Sequence, residues 1–280
     1  MGKNSIRSKI TKKDIISEIK LFSSANKEKK VIIVEGIDDY KFIRKFIKND
    51  VLLKESFSGK DGVIAIKEFF EKDSNIIGIL DKDHDEKLID KGIFYYDFSS
   101  METMISSHIE CFKNVCCECY LNEINAEKLR KELLNNLINI SLLRRYNAKN
   151  KLKIKINKIA IHNILREDSS VCKLKLLEMV DLKNGSNNLW KQNRDIISKY
   201  IDEHSKNQYT LEELLNLTRG HDFAYMLNIY CSKIKGKDYG VDIIQGFLRC
   251  SFTIENFKNT KMWTSLKEYS DKENVYFFNC

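Results

Sequence analysis

The chain has 280 residues, with 48 Lys and Arg against 40 Asp and Glu, for a formal net charge of +8. That length allows one large domain or two moderate ones with a sizeable core, and no apolar run approaches the roughly 18 residues of a membrane span. The opening Met1-Gly2-Lys3-Asn4-Ser5-Ile6-Arg7 has no apolar core of a secretory signal. A soluble, cytoplasmic protein is expected, with its eight cysteines as reduced thiols and not a disulfide framework.

Apolar positions at Ile10, Ile15, Ile16 and Ile19 predict a first helix over residues 10–23, with Thr11 as its cap. Residues 31–34 are an unbroken apolar run of strand length. A helical period follows at Tyr40, Phe42, Ile43, Phe46 and Ile47, over residues 38–48. Residues 52–57 predict a second strand. Ser58-Gly59-Lys60-Asp61-Gly62 is a turn, from which Asp61 caps a helix running to Phe70. Residues 76–80 and 93–96 predict two more strands, and Ser99 or Ser100 caps a helix that contains Glu102. Strands alternating with helices imply an α/β fold with a parallel sheet flanked by helices.

After residue 110 the pattern becomes mainly helical. Helices are expected over residues 124–146, 190–204, 211–218, 221–233, 240–250 and 261–268, with a loop at 184–188. Residues 151–165 begin Lys-Leu-Lys-Ile-Lys-Ile, an alternation that predicts a strand with one face in water. The expected division is therefore 1–110 as a catalytic domain and 111–280 as a basic helical domain. Residues 1–110 carry 20 basic and 20 acidic side chains, so the remaining 28 basic and 20 acidic ones place the whole +8 excess in 111–280. A neutral half joined to a basic half suits an enzyme with a polyanionic substrate.

Two apolar strands end in carboxylates. Residues 31–39 read Val-Ile-Ile-Val-Glu-Gly-Ile-Asp-Asp, and residues 76–85 read Ile-Ile-Gly-Ile-Leu-Asp-Lys-Asp-His-Asp. Open α/β sheets bind ligands beyond the carboxyl ends of their strands, so Glu35, Asp39, Asp81, Asp83 and Asp85 are expected to converge there. Gly36 is expected to let the chain leave the strand without a Cβ clash. Asp81 and Asp83, alternating with Lys82, would point the same way in extended geometry. Converging carboxylates call for a hard cation, Mg²⁺ or Mn²⁺, and such ions serve phosphoryl transfer. Asp85 reads as a third ligand or a solvated loop acid, and Glu102 as a ligand for a second ion or an acid favoured by a helix N-terminus. Lys60 reads as a contact to substrate phosphate or as a turn lysine, and His84 as a proton relay or a surface histidine.

Arg144, Arg145, Lys149, Lys151, Lys153, Lys155 and Lys158 form a basic stretch around Tyr146, with no acid between Glu132 and Glu167. It is either a solvated face or a phosphate-binding surface. In Gly220-His221-Asp222, Asp222 could cap the next helix, and His221 could contact RNA or orient a ligand. Cys116 and Cys119 form one Cys-x-x-Cys with His108 upstream, but no second pair follows at zinc-site spacing.

Val-Glu-Gly-x-Asp-Asp at 34–39, Asp-x-Asp-x-Asp at 81–85, Glu102 opening a helix, and Gly220-His221-Asp222 together resemble a Toprim-like bacterial family, domain of unknown function 4435. That family includes the nuclease subunit of the PARIS anti-phage system. The resemblance is carried chiefly by residues 30–110. It implies a metal-dependent nuclease with Glu35, Asp39, Asp81 and Asp83 as the metal site. It further implies transfer RNA as substrate, a role as antiviral effector, and release from a separate ABC-type ATPase. The chain has no Gly-x-x-x-x-Gly-Lys-Ser/Thr of its own. Two alternatives are an OLD-type DNA nuclease subunit and a non-enzymatic Toprim-like regulator. Self-association as a homo-oligomer is left open.

Overall fold

Unbroken apolar runs are the interior strands of parallel sheets covered on both faces, and residues 31–34 and 76–80 behave that way. The structure is a computed structural model that describes residues 10–25, 29–84, 88–89, 91–121, 123–157 and 159–279. Asp85 and Lys158 lie outside the described residues. The chain forms two compact units. One comprises residues through Asp81, Leu88–Asp97 and the stretch from Ile254 onward; the other comprises the segment from Lys82 and Phe98–Thr253.

The first unit begins with α1 (Lys12–Ala25). Thr11 Oγ1 accepts from the Asp14 N–H at 3.4 Å while the Asp14 carboxylate accepts from the Thr11 N–H at 2.8 Å, a reciprocal cap. Then come β1 (Lys30–Val34), α2 (Ile37–Ile43), β2 (Val51–Glu55), α3 (Gly59–Phe69), β3 (Ile76–Leu80) and β4 (Ile93–Tyr95). The strands form one all-parallel sheet in the order β2-β1-β3-β4. Side chains alternate along a strand. Val31 and Ile33 therefore join Ile76, Leu80 and Ile93 in a core with Ile15 and Ile19 of α1 and Val63 and Ile66 of α3. Ile32, Val34, Ile77 and Ile79 point to the other face and are buried too. A Cβ on Gly78 would lie 2.7 Å from Val63 Cγ1, so glycine in β3 is what lets α3 come this close. Ser58, and not Asp61, stands at the start of α3; Asp61 lies within its first turn.

The second unit is helical: α4 (Met101–Ser107), α5 (Ile109–Glu118), α6 (Ala126–Asn136), α7 (Ile138–Lys149), α8 (Lys173–Asn184), α9 (Asn188–His204), α10 (Leu211–Leu217), α11 (Gly220–Lys235) and α12 (Val241–Ser251). The single helix expected over 124–146 is two, α6 and α7, meeting at Leu137. Among the described residues of 151–165 the expected strand is absent. Leu152, Ile154 and Ile156 are buried and Lys151, Lys153 and Lys155 exposed, as the alternation requires. No neighbouring strand pairs with them, and Lys151 and Lys153 take positive φ, 51° and 53°. Asparagine side chains replace the ladder. Asn147 Oδ1 accepts from the Ile154 N–H at 2.9 Å, and Asn184 takes both backbone groups of Lys155 at 2.8 and 3.1 Å.

The chain then returns to the first unit with α13 (Ile254–Lys258) and α14 (Lys261–Glu273). The Asp97 carboxylate accepts from the N–H groups of Lys261 and Met262, both at 2.9 Å, which satisfies two open donors at the start of α14. Phe257 stacks on Phe46 at 4.8 Å, and the Phe277 carbonyl accepts from the Lys48 N–H. These contacts correct the expected 1–110 and 111–280 division, because residues 254–279 pack within the first unit. Among the described residues no helix is long and apolar enough to cross a membrane.

Candidate active site

In the order β2-β1-β3-β4, the chain leaves β1 toward β2 and then crosses back to β3 on the other side. The point where direction reverses lies between β1 and β3, and ligands of open α/β sheets bind outside the carboxyl ends of the strands there. Glu35 follows β1 and Asp81 follows β3. The Asp81 N–H donates to Glu35 Oε1 at 2.8 Å, so the two strand ends are tied at the reversal point.

Gly36 stands at the head of α2, and the Asp39 carboxylate accepts from its N–H at 3.2 Å. That bond folds Asp39 back toward the strand end. Gly36 has an extended φ of −157°. A Cβ there would meet only the Asp39 carboxylate, at 3.9 Å. The clash expected from sequence is therefore not the reason for glycine. Gly59 is different: its φ is +59°, and a Cβ on it would lie 3.8 Å from Glu35 Oε2, so a glycine is favoured where α3 begins beside the carboxylate. Lys60 Nζ donates to the Asp81 carbonyl at 2.8 Å, which brings a cation to the same strand end.

Tyr96, directly after β4, reports the convergence. Its ring is fully buried. Burial pushes its phenol well above the ordinary tyrosine range, and the nearby carboxylates of Asp39, Asp81 and Glu35 push it further. All three acids are thus within electrostatic reach of one hydroxyl, and all three are only partly buried. Sequence reasoning passed over Tyr96, although its place at the carboxyl end of β4 obeys the rule that picked out the acids. Glu35, Gly36, Tyr40 and Gly59 line an open cavity of about 530 Å³ in this unit.

No family model matches the chain, and no curated protein matches it.

The donors at the strand ends are all oxygens, which suits a hard cation. Among the described residues no group of three or more His, Cys, Asp and Glu is arranged to hold a metal. Mg²⁺ usually takes only one or two carboxylates and keeps several waters. Two carboxylates, Asp39 and Asp81, would meet that smaller requirement, while Glu35 is held by the Asp81 N–H.

The remaining expected residues fall in the helical unit. Asp83 is not extended: β3 ends at Leu80, Asp83 has a φ of +51°, and its N–H donates to the Ser99 carbonyl at 2.8 Å. Aspartate tolerates this left-handed conformation better than most residues, but the parallel alignment expected for Asp81 and Asp83 is lost. Asp83 and His84 instead line a cleft of about 390 Å³ with Arg145 and Lys149. Arg144 is no surface contact. It is buried, and its Nε and Nη2 donate to Asp222 at 2.6 and 3.1 Å. Asp222 is therefore an ion-pair partner in the first turn of α11, and the N-cap position before that helix is Arg219. Lys151, Lys153, Lys155 and His221 are exposed.

Glu102 is only 7 % exposed, and its Oε1 accepts from Gln245 Nε2 at 2.6 Å. A Cβ on Gly220 would lie 2.2 Å from its Oε2, so glycine there admits the carboxylate into the core. Glu102 lies in the first turn of α4, as the reading of an acid favoured by a helix N-terminus requires. The four cysteines Cys111, Cys116, Cys119 and Cys231 are buried free thiols. Burial pushes Cys116 up to about 12, which keeps it protonated and inert.

Proposed function

We propose that the protein is a Mg²⁺- or Mn²⁺-dependent phosphodiester hydrolase, a nuclease, acting on RNA. The observation that supports it is the convergence of Glu35, Asp39 and Asp81 at the reversal point of a parallel sheet, with Lys60 on the Asp81 carbonyl. Asp39 and Asp81 would hold the ion, which leaves Glu35 as the general base. When bound, the ion lowers the pKa of its water and neutralises charge on the scissile phosphate. Glu35 keeps Oε1 on the Asp81 N–H, which fixes the carboxylate, and takes the proton from the attacking water. Lys60, held at the same strand end, offers positive charge to the departing oxygen. Tyr96, fully buried after β4, lies within electrostatic reach of the three acids.

RNA as substrate, antiviral action and restraint by a separate ATPase rest on the resemblance to the Toprim-like family. The test is incubation of the full chain with RNA and with single-stranded DNA, in Mg²⁺ and in EDTA. RNA cleavage that needs the metal and fails in Asp81→Asn supports the proposal. Metal-dependent cleavage of DNA alone moves it to a DNA nuclease, and no cleavage of either substrate rejects it.

A further inference from the structure

The cleft of the helical unit combines two kinds of side chain. Arg145 and Lys149 stand four residues apart on α7 and so share one face. Lys82 and His84 add to the same wall. The acids facing them are Asp83 and Glu213. Glu213 is already committed, because its carboxylate accepts from the N–H and Oγ1 of Thr210 at 2.8 and 2.9 Å, closing the start of α10. Those bonds leave its charge in place, so Lys82, Arg145 and Lys149 stand against Asp83 and Glu213, and the cleft keeps one positive charge in excess.

One aromatic ring, Tyr209, lines the same cleft. The Tyr209 hydroxyl donates to the His204 carbonyl at 2.9 Å, which anchors the far end of the ring. Leu217 lines the cleft as well. Asn216 Nδ2 donates to the Glu212 carbonyl at 3.0 Å, which orients the amide and leaves Oδ1 as an acceptor. A volume of about 390 Å³ lies within the range of small-ligand sites. Cations one helical turn apart select a phosphate, and a fixed tyrosine beside an oriented amide selects a flat polar ring.

We propose that this cleft binds one nucleotide unit, its phosphate on Arg145 and Lys149 and its base against Tyr209. The unit comes either from a single strand or from a free mononucleotide, and the chemistry is the same. The inference extends the nuclease reading but needs no bond cleavage, so binding is measured in EDTA.

The assay is fluorescence anisotropy of the full chain with a labelled six-nucleotide single-stranded RNA, competed by AMP and by ribose 5-phosphate. AMP competes better than ribose 5-phosphate, because only AMP carries a base. Tyr209→Leu, which keeps apolar bulk but no ring, weakens strand binding about tenfold, and Tyr209→Phe stays within about twofold. Arg145→Gln with Lys149→Gln weakens it about tenfold and flattens the log–log salt slope by about 0.7, the value for one lost phosphate contact on a single strand. Thermal melts of each variant separate these losses from misfolding. Strand binding tighter than AMP identifies a strand as the ligand, and equal binding identifies the free nucleotide. Equal competition by AMP and ribose 5-phosphate, or wild-type affinity in Tyr209→Leu, overturns the proposal. RNA that binds here but is not cut when Mg²⁺ is added counts against the nuclease reading alone.

Discussion

Replacing Arg144 by methionine keeps most of its volume and removes its charge. The side chains of Arg144 and Asp222 are 10 % and 4 % exposed, and two charge-assisted bonds join them at 2.6 and 3.1 Å. Arg144 also reaches Asn157 Oδ1 at 3.3 Å. Its loss strands the Asp222 carboxylate in the interior of the helical unit. Breaking a buried pair from one side costs about 3–5 kcal/mol, most of it the uncompensated charge. At about 2–4 °C per kcal/mol for a domain of this size, the melting temperature falls by about 6–20 °C. Adding Asp222→Leu removes the stranded charge and restores much of the loss, since a buried pair and an apolar replacement are often nearly equal in stability. The measurement is urea unfolding of wild type, both single variants and the double variant. Arg145→Gln, one position along on the exposed side of α7, is the control and stays within about 0.5 kcal/mol. If Arg144→Met behaves like Arg145→Gln, the pair does not support the helical unit and Arg144 returns to the surface stretch.

Asn184→Ala removes the side chain that takes both backbone groups of Lys155. Stability falls by about 1–3 kcal/mol for the buried groups left open, and hydrogen exchange at the Lys155 amide accelerates; unchanged exchange would show that the segment holds itself. The phenol of Tyr96 ionises above the ordinary tyrosine value of 10.0 in the folded chain, raised by burial first. The unfolded chain therefore gives up a proton that the folded chain keeps, so stability is complete below about pH 10 and falls as pH rises beyond it. Tyr96→Phe makes that fall shallower by one proton, about 1.4 kcal/mol per pH unit. Urea unfolding between about pH 9 and 11 reads it, and identical slopes would mean that Tyr96 ionises freely.

The sheet and its acids were legible because their signals are local. Residues 31–34 and 76–80 are too short and too apolar for anything but interior strands, and the residue after such a strand sits at the ligand end of the sheet. Glu35 and Asp81 follow from that rule alone. The basic stretch was half legible. Its burial alternates as the Lys-Leu-Lys-Ile pattern implies, but a buried alternating segment reads as a strand only if another strand is there to pair with it. Asn147 and Asn184 pair with it instead, and nothing in their local sequence announces this. Arg144 and Asp222 are 78 residues apart, and no periodicity joins them. Asp83 was misread because two residues of alternation look extended whether or not the strand continues. The return of residues 254–279 to the first unit was hidden for a similar reason: no linker or shift in composition marks it, and the contacts that hold it, such as Asp97 with Lys261, are made at long range.

Glu35→Gln is the sharpest probe of the proposed chemistry. Glutamine keeps an oxygen to accept from the Asp81 N–H, now at 2.8 Å, so the strand ends stay tied while the negative charge and the proton acceptor are lost. The measurement is single-turnover cleavage of an RNA oligonucleotide in Mg²⁺ by wild type and Glu35→Gln, with matched melting curves. A nuclease built on Glu35, Asp39 and Asp81 predicts metal-dependent cleavage in wild type and a loss of about 10²–10⁴-fold in the variant. Cleavage by Glu35→Gln at the wild-type rate would contradict it.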